Sequence, residues 1–225
     1  MPASRDNALV NEYRRMDYRA RVAALPAGGP EATRRALTRI GDVRAIVLVE
    51  GFSDQIAVET LAARRGRDLA DESVAVVPIG GAQAVSQFLR RFGPRGSNAT
   101  LAGLCDAGEE TIFRRSLERA GLGANLTRAE MERLGFFVCN ADLEDELIRA
   151  LGTAGVQTVL EREGDLEAFR TFQRQPAWRE RPVERQLRRF MGSAGRRKLR
   201  YARLLVEALD PEAVPRPLEG VLAHV

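Results

Sequence analysis

RAIVLVEGFSD, residues 44–54, joins a run of apolar residues to a glutamate, a glycine and an aspartate. A continuous apolar run rich in β-branched residues predicts a strand that is buried on both faces. Gly51 predicts a tight turn, and Ser53 is a candidate N-cap for a helix from Asp54 to Arg65. The segment is therefore typical of a strand–turn–helix unit in a parallel sheet.

Three more short apolar runs repeat this unit further along the chain. They occupy residues 73–79, 100–105 and 135–139, and a helical pattern follows each of them. Four buried strands that each precede a helix predict an α/β fold, with a four-stranded parallel sheet flanked by helices. We expect the strand order 2-1-3-4, which places the first and third strands side by side.

Carboxylates follow three of the four predicted strands: Glu50, Asp54, Asp106, Asp142 and Glu144. Because the carboxyl ends of parallel strands share one edge of a sheet, we expect these side chains to converge. Carboxylates at close range repel one another unless a cation neutralises them, and oxygen ligands suit Mg²⁺, Mn²⁺ or Ca²⁺. For Asp54 and Asp142 the competing interpretation is a carboxylate that stabilises a helix N-terminus. Glu50 ends a strand and has no such role.

Charge is distributed unevenly along the chain. Residues 45–169 contain 13 arginines and 20 acidic residues, whereas residues 170–203 contain 12 basic and 2 acidic residues. The basic segment indicates either a solvated helical face or a surface that contacts phosphates. We predict a helical N-terminal segment (1–43), a sheet domain (44–152) and a basic helical extension packed on it (153–225).

Several classes of protein are disfavoured by composition and motifs. One histidine, His224, leaves no histidine-rich zinc site and no Ser-His-Asp triad. Neither a dinucleotide-binding nor a Walker-type glycine motif is present. No run of 18 apolar residues occurs, so we expect no transmembrane helix. Two cysteines and an N-terminus without an apolar core favour a cytoplasmic protein.

Two segments resemble the TOPRIM domain, the metal-binding fold shared by topoisomerases, primases and several nucleases. Residues 47–54 (VLVEGFSD) resemble its first motif, and residues 101–106 (LAGLCD) resemble its third strand with the first acid of a DxD pair. Three further segments are similar to the TOPRIM domain of the OLD (overcoming lysogenisation defect) nucleases. They are residues 77–89 (VPIGGAQAVSQFL), residues 141–151 (ADLEDELIRAL), and residues 198–209 with 214–222.

The resemblance implies an α/β TOPRIM fold and a role for each matching residue. Glu50, Asp54, Asp106 and Glu144 would bind one or two Mg²⁺ or Mn²⁺ ions, and Glu50 could also act in general acid–base chemistry. Lys198 matches a lysine that stabilises the scissile phosphate, and it is the only lysine beside 34 arginines. A solvated basic side chain is the alternative interpretation of Lys198.

Two departures from the family pattern are visible. The second acid of the DxD pair is replaced by Gly108, so Glu109 or Glu110 would have to supply the missing ligand. OLD nucleases also carry an N-terminal ABC-type ATPase, whereas about 40 residues precede the first strand here. The family therefore implies a separate ABC-type ATPase as a candidate partner.

Nucleic acid is the predicted partner, with DNA favoured over RNA. Candidate phosphate contacts come from a glycine pair after the second strand and from the basic segment: Gly80, Gly81, Arg188, Arg189, Arg196, Arg197 and Arg200. The glycine pair is equally consistent with a simple tight turn.

The predicted function is a metal-dependent endonuclease that cleaves or nicks nucleic acid. The first alternative is a TOPRIM subunit that lacks full metal competence and works with a separate ATPase or nuclease. The second is another TOPRIM chemistry, such as nucleotidyl transfer or maturation of ribosomal RNA. Topoisomerase activity is disfavoured, because Tyr13, Tyr18 and Tyr201 are the only tyrosines and none has a recognisable nucleophilic setting.

Overall fold

A four-stranded parallel sheet forms the centre of the computed structural model, which describes Thr33, residues 43–193 and residues 195–225. Its strands are β1 (Ala45–Val49), β2 (Val74–Pro78), β3 (Thr100–Cys105) and β4 (Phe136–Val138). The order is β2-β1-β3-β4, and all neighbours are parallel. The predicted sheet and strand order are thus confirmed. The N-terminal segment predicted at 1–43 lies almost entirely outside the described residues.

Helices connect the strands and make up most of the rest of the described chain. They are α1 (Phe52–Arg64), α2 (Val85–Phe92), α3 (Glu110–Arg119), α4 (Arg128–Arg133), α5 (Leu143–Arg162), α6 (Leu166–Gln173), α7 (Val183–Gly192), α8 (Gly195–Ala208) and α9 (Arg216–Ala223). Single 3₁₀ turns at Ala82–Ala84 and Ala107–Glu109 precede α2 and α3. No helix among the described residues is both long and apolar enough to cross a membrane.

Two hydrophobic cores lie on opposite faces of the sheet, because successive side chains of a strand point to opposite faces. Val47 and Val49 of β1 pack into a core that α1, α5, α8 and α9 complete. Ile46 and Leu48 face the other core, which α2 and α3 cover. The C-terminal helices therefore form one wall of the sheet domain.

The first core is continuous across the predicted domain boundary at residue 152. Gly152 interrupts α5 there with a φ of 68°, a conformation that glycine adopts without a steric penalty. Beyond it, α8 packs along α1, and the Arg64 guanidinium donates to the carbonyl oxygens of Val206 and Leu209 at 2.6 and 2.8 Å. The division into domains at 152 stays a prediction.

The N-terminus of α1 differs from the prediction. Gly51, rather than Ser53, is the N-cap residue, and the helix begins at Phe52. The cause is Asp54, whose carboxylate accepts a hydrogen bond from the Gly51 N–H at 2.9 Å. The helix consequently begins two residues earlier than predicted.

Candidate metal and nucleic-acid site

Glu50 and Asp54 lie together at the carboxyl end of β1, the position that a parallel sheet uses for its ligands. Glu50 is half-buried, and its carboxylate accepts a hydrogen bond from the backbone N–H of Asp106 at the end of neighbouring β3. Its Oε1 atom is buried without a hydrogen-bond partner in the described part of the chain. Because a buried polar atom without a partner is costly, Oε1 is available to a ligand.

Asp106 ends β3 and joins this group. The acid is half-buried, and the loop after it is held against the loop after β4, because the Ala107 N–H donates to the Ala141 carbonyl at 3.2 Å. Two residues on, Gly108 is exposed and a Cβ at that position would meet no atom within 4 Å. Glu109, the predicted substitute ligand, is half-buried and close enough to Glu50 to raise the pKa of that carboxyl.

The first turn of α5 adds Asp142 and Glu144, and two cations from later helices face them. Glu144 is buried, and its Oε1 atom lies 3.2 Å from the Lys198 Nζ of α8. Asp142 accepts from the Asp145 N–H through Oδ1 at 2.8 Å and from the Arg188 Nε through Oδ2 at 2.6 Å. Both oxygens of Asp142 are therefore already engaged, as the helix-capping interpretation expects, whereas Glu144 faces only a lysine.

Burial and mutual repulsion raise the pKa values of the cluster. Burial is the larger cause for Glu50 and Asp106; together with the nearby carboxylates it raises their pKa values to about 7 and about 8. Burial likewise raises the pKa of Asp54 and of Glu144, although the positive charge of Lys198 opposes the shift. Burial lowers the pKa of Lys198, but Glu144 and Asp54 outweigh that effect and its pKa is raised overall.

The donor set fits a hard divalent cation. All contributing atoms are carboxylate oxygens, Glu50 presents an unpartnered buried oxygen, and a bound cation would relieve the repulsion that helps to raise the pKa of Asp106. In the arrangement found, no three acidic, histidine or cysteine side chains of the described residues are grouped closely enough to hold an ion. Ligation would therefore need rotation of the acidic side chains toward a common point.

The five predicted arginines have different surroundings. Arg189 and Arg196 are exposed, and Arg188 reaches the acidic cluster through Asp142. Arg197 lies over the Phe190 ring and donates to Ser193 Oγ at 3.1 Å. Arg200 forms an ion pair with Asp165, so its guanidinium is already engaged within the protein.

Gly80 and Gly81 follow β2 at the same edge of the sheet, with φ angles of 80° and 120°. A side chain at either position would be strained, so the backbone alone accounts for both glycines. A 3₁₀ turn separates them from α2, and phosphate binding at this turn stays a prediction.

Comparison with known proteins agrees with these motifs and this geometry. Residues 43–100 match the family model of the TOPRIM domain of overcoming lysogenization defect protein-like proteins. The chain therefore contains an OLD-like TOPRIM domain. The earlier resemblance is confirmed, and TOPRIM domains in general bind divalent metals.

Solved structures with the same fold as this OLD-like TOPRIM chain are C-terminal regions of bacterial OLD proteins. One is from Burkholderia pseudomallei, with 22% identity and a TM-score of 0.63 over 82% of this chain and 97% of that one. Another is from Xanthomonas campestris pv. campestris, with 24% identity and a TM-score of 0.63 over 81% of this chain and 92% of that one. No curated protein sequence matches the chain.

One residue that supports the TOPRIM cluster is absent from the sequence predictions. Glu146 is buried and accepts hydrogen bonds from the Asn140 backbone N–H at 2.7 Å and from its side-chain amide at 3.1 Å. It thereby holds the loop between β4 and α5, which places Asp142 and Glu144. The available signal was a fourth acid in the acid-rich first turn of α5, but sequence could not distinguish its inward direction.

The acidic cluster predicts how stability depends on pH in the absence of metal. Near pH 6 the folded chain retains protons on Glu50 and Asp106, which the unfolded chain loses near pH 4. The free energy of unfolding should therefore fall as the pH rises from about 4 to about 8. Mg²⁺ or Mn²⁺ should raise the melting temperature more at pH 8 than at pH 6, by roughly 2 to 4 °C for each 1 kcal/mol regained.

Thermal melts in EDTA and in Mg²⁺ across this pH range test that expectation. Asp106→Asn, which cannot ionise, serves as the matched control and should flatten the decline in EDTA. A melting temperature in EDTA that rises between pH 6 and pH 8 would contradict it.

Proposed function

We propose that this OLD-like TOPRIM chain is a Mg²⁺- or Mn²⁺-dependent endonuclease that nicks or cleaves nucleic acid, with DNA favoured. The observation that carries the proposal is the meeting of four acids with Lys198. Glu50 and Asp106 follow β1 and β3, Asp54 and Glu144 lie in the first turns of α1 and α5, and the lysine comes from a helix more than 50 residues beyond the last of them. A lysine beside an acidic cluster suits a site that must hold a metal and a phosphate together.

Glu50, Asp106 and Glu144 are the residues that we expect to hold the ion, with Asp54 as a further ligand or as the support of Gly51. A bound divalent ion would supply Lewis-acid polarisation of the scissile phosphate and would favour deprotonation of a water. Glu109 and Asp142 are secondary candidates, because Asp142 already uses both oxygens in other bonds.

The protein's own side chains would accept the proton, stabilise the transition state and bind the phosphates. Without metal, burial and the neighbouring acids raise the pKa of Glu50 to about 7; beside a divalent ion its carboxylate would be ionised and could accept a proton from a water. Lys198 stays cationic and would offset the charge that develops on the phosphate in the transition state. Arg189 and Arg196, which are exposed, would bind neighbouring phosphates through contacts that do not depend on sequence, and Arg188 would do so only by leaving Asp142.

A supercoiled plasmid is the substrate that tests this proposal. We expect conversion to the open-circular form with Mn²⁺ or Mg²⁺, and no conversion with EDTA. Plasmid that stays supercoiled with folded protein in every divalent metal would overturn the proposal of a self-sufficient nuclease.

A second candidate function is supported by Gly108. Without a second acid at this position, the chain could be a TOPRIM subunit of reduced metal competence that binds nucleic acid and acts with a separate ATPase or nuclease. The closely grouped ligand set that a fully competent site would show is also missing from the described residues.

Gly108→Asp tests the importance of that position. The new side chain fits, because Gly108 is exposed and a Cβ there meets no atom within 4 Å. If two ions assist cleavage, the variant should lower the Mg²⁺ concentration for half-maximal nicking by roughly tenfold, the effect of about 1.4 kcal/mol. Gly108→Asn adds nearly the same volume without charge and is the matched control. Equal Mg²⁺ requirements for Asp, Asn and Gly would show that this position holds no metal.

A further inference from the structure

The position of the Lys198 ammonium depends on how α8 is held, because a lysine side chain is long and flexible. Lys198 lies in the first turn of α8, and its Nζ is 3.2 Å from Glu144 Oε1. That side chain is 41% exposed, so the surrounding atoms alone do not enclose it. The register of the helix must therefore determine where the ammonium lies.

Tyr201 anchors α8 one turn after Lys198, on the side of the helix that faces α5. It is only 1% exposed, and its hydroxyl donates to Asp165 Oδ2 at 2.7 Å. The Arg200 guanidinium forms an ion pair with the same carboxylate and lies 5.0 Å from the centre of the Tyr201 ring. Asp165 stands in the turn between α5 and α6, so these contacts tie α8 to the far end of the helix that carries Glu144.

The other end of α8 is held as well. The Arg64 guanidinium of α1 donates to the carbonyl oxygens of Val206 and Leu209, which end the helix. The two anchors sit on different neighbours, one on α1 and one beyond α5. Together they leave α8 little freedom to slide or to rotate between Asp54 and Glu144.

We propose that Asp165 is a positioning residue: through Tyr201 and Arg200 it sets the register of α8 and so holds the Lys198 ammonium beside Glu144. The inference rests on the proposed function in one respect: the Lys198 ammonium would be held there to present a cation to the scissile phosphate. Arg200 then serves the site from within the protein rather than by binding nucleic acid.

Lysine acylation tests the inference without any substrate, because Lys198 is the only lysine in the chain. A short pulse of acetic anhydride followed by peptide mass mapping separates acylated Lys198 from the acylated N-terminus. The variants are Asp165→Ala, which removes both bonds, Tyr201→Phe, which removes only the hydroxyl, and Asp165→Asn, which keeps an acceptor. Glu132→Ala, which breaks the ion pair of Glu132 with Arg216 elsewhere, is the matched control.

We expect Asp165→Ala and Tyr201→Phe to raise the acylation rate of Lys198 roughly three- to tenfold, the effect of losing one such hydrogen bond. Asp165→Asn should restore most of the wild-type rate, and Glu132→Ala should match the wild type. A wild-type acylation rate in folded Tyr201→Phe would overturn the inference, even if Asp165→Ala does not fold.

Plasmid nicking by the same variants connects the position to the reaction. A fall in kcat with unchanged KM is expected, since Lys198 would be displaced while the phosphate-binding arginines remain. A rise in KM with an unchanged kcat would contradict a role in placing Lys198. If the wild type does not nick DNA, the proposed function fails, whereas the acylation rates still decide whether Asp165 positions the lysine.

Discussion

Glu50→Gln should lower the rate of plasmid nicking at least about a thousandfold, because in the proposed mechanism the metal and the attacking water would both depend on this carboxylate. The substitution keeps the size of the side chain and one oxygen but removes the negative charge. It also removes the group that could accept a proton from the attacking water. Initial rates in Mn²⁺ at pH 8 measure the effect.

The folded state of Glu50→Gln is expected to be no less stable than that of the wild type in EDTA, because a repelling charge is lost. Glu161→Gln changes an exposed glutamate at the other end of α5 and is the matched control. Nicking by Glu50→Gln within about tenfold of the Glu161→Gln rate would place the reaction outside this carboxylate cluster.

Lys198→Ala should lower kcat roughly a hundred- to a thousandfold, the usual cost of losing one group that stabilises transition-state charge. Because Lys198 is also the counter-ion of buried Glu144, the variant should bind Mn²⁺ no more weakly than the wild type. Lys198→Arg keeps the charge but replaces a compact ammonium by a planar guanidinium, so we expect only partial recovery.

Nicking kinetics and calorimetric Mn²⁺ titration of the two lysine variants measure these effects separately. Arg196→Ala, an exposed cation two residues earlier, is the control and should weaken DNA binding with little change in kcat. An unchanged kcat in Lys198→Ala would contradict a catalytic role and would favour the interpretation of Lys198 as a solvated side chain.

The strands of the sheet could be predicted from sequence because a short run of adjacent residues specifies each of them. The apolar run at 45–49 and the three runs after it are each long enough for one buried strand, and acids follow three of the four at the edge where parallel sheets bind their ligands. The expected strand order 2-1-3-4 is also confirmed. The predicted capping residue of α1 was wrong, because the Asp54 carboxylate accepts the hydrogen bond from Gly51 that closes this turn.

Contacts between distant residues could not be predicted in this way. Arg200 belongs to the basic segment by composition, yet its partner Asp165 lies 35 residues earlier in the chain. Arg188 likewise meets Asp142 across 46 residues, which occupies an acid that sequence reasoning offered to a metal. Only the folded chain brings these charges together, since their separation along the sequence follows no helical or strand period.

Anomalous scattering from crystals soaked in Mn²⁺ would test the metal site at the sheet edge. We expect a peak between Glu50 and Asp106, with Glu144 turned toward it, and the loss of that peak in Glu50→Gln crystals. A second peak beside Glu109 would show that the chain compensates for Gly108. Crystals that bind Mn²⁺ elsewhere on the surface but show no peak at the ends of β1 and β3 would contradict the account.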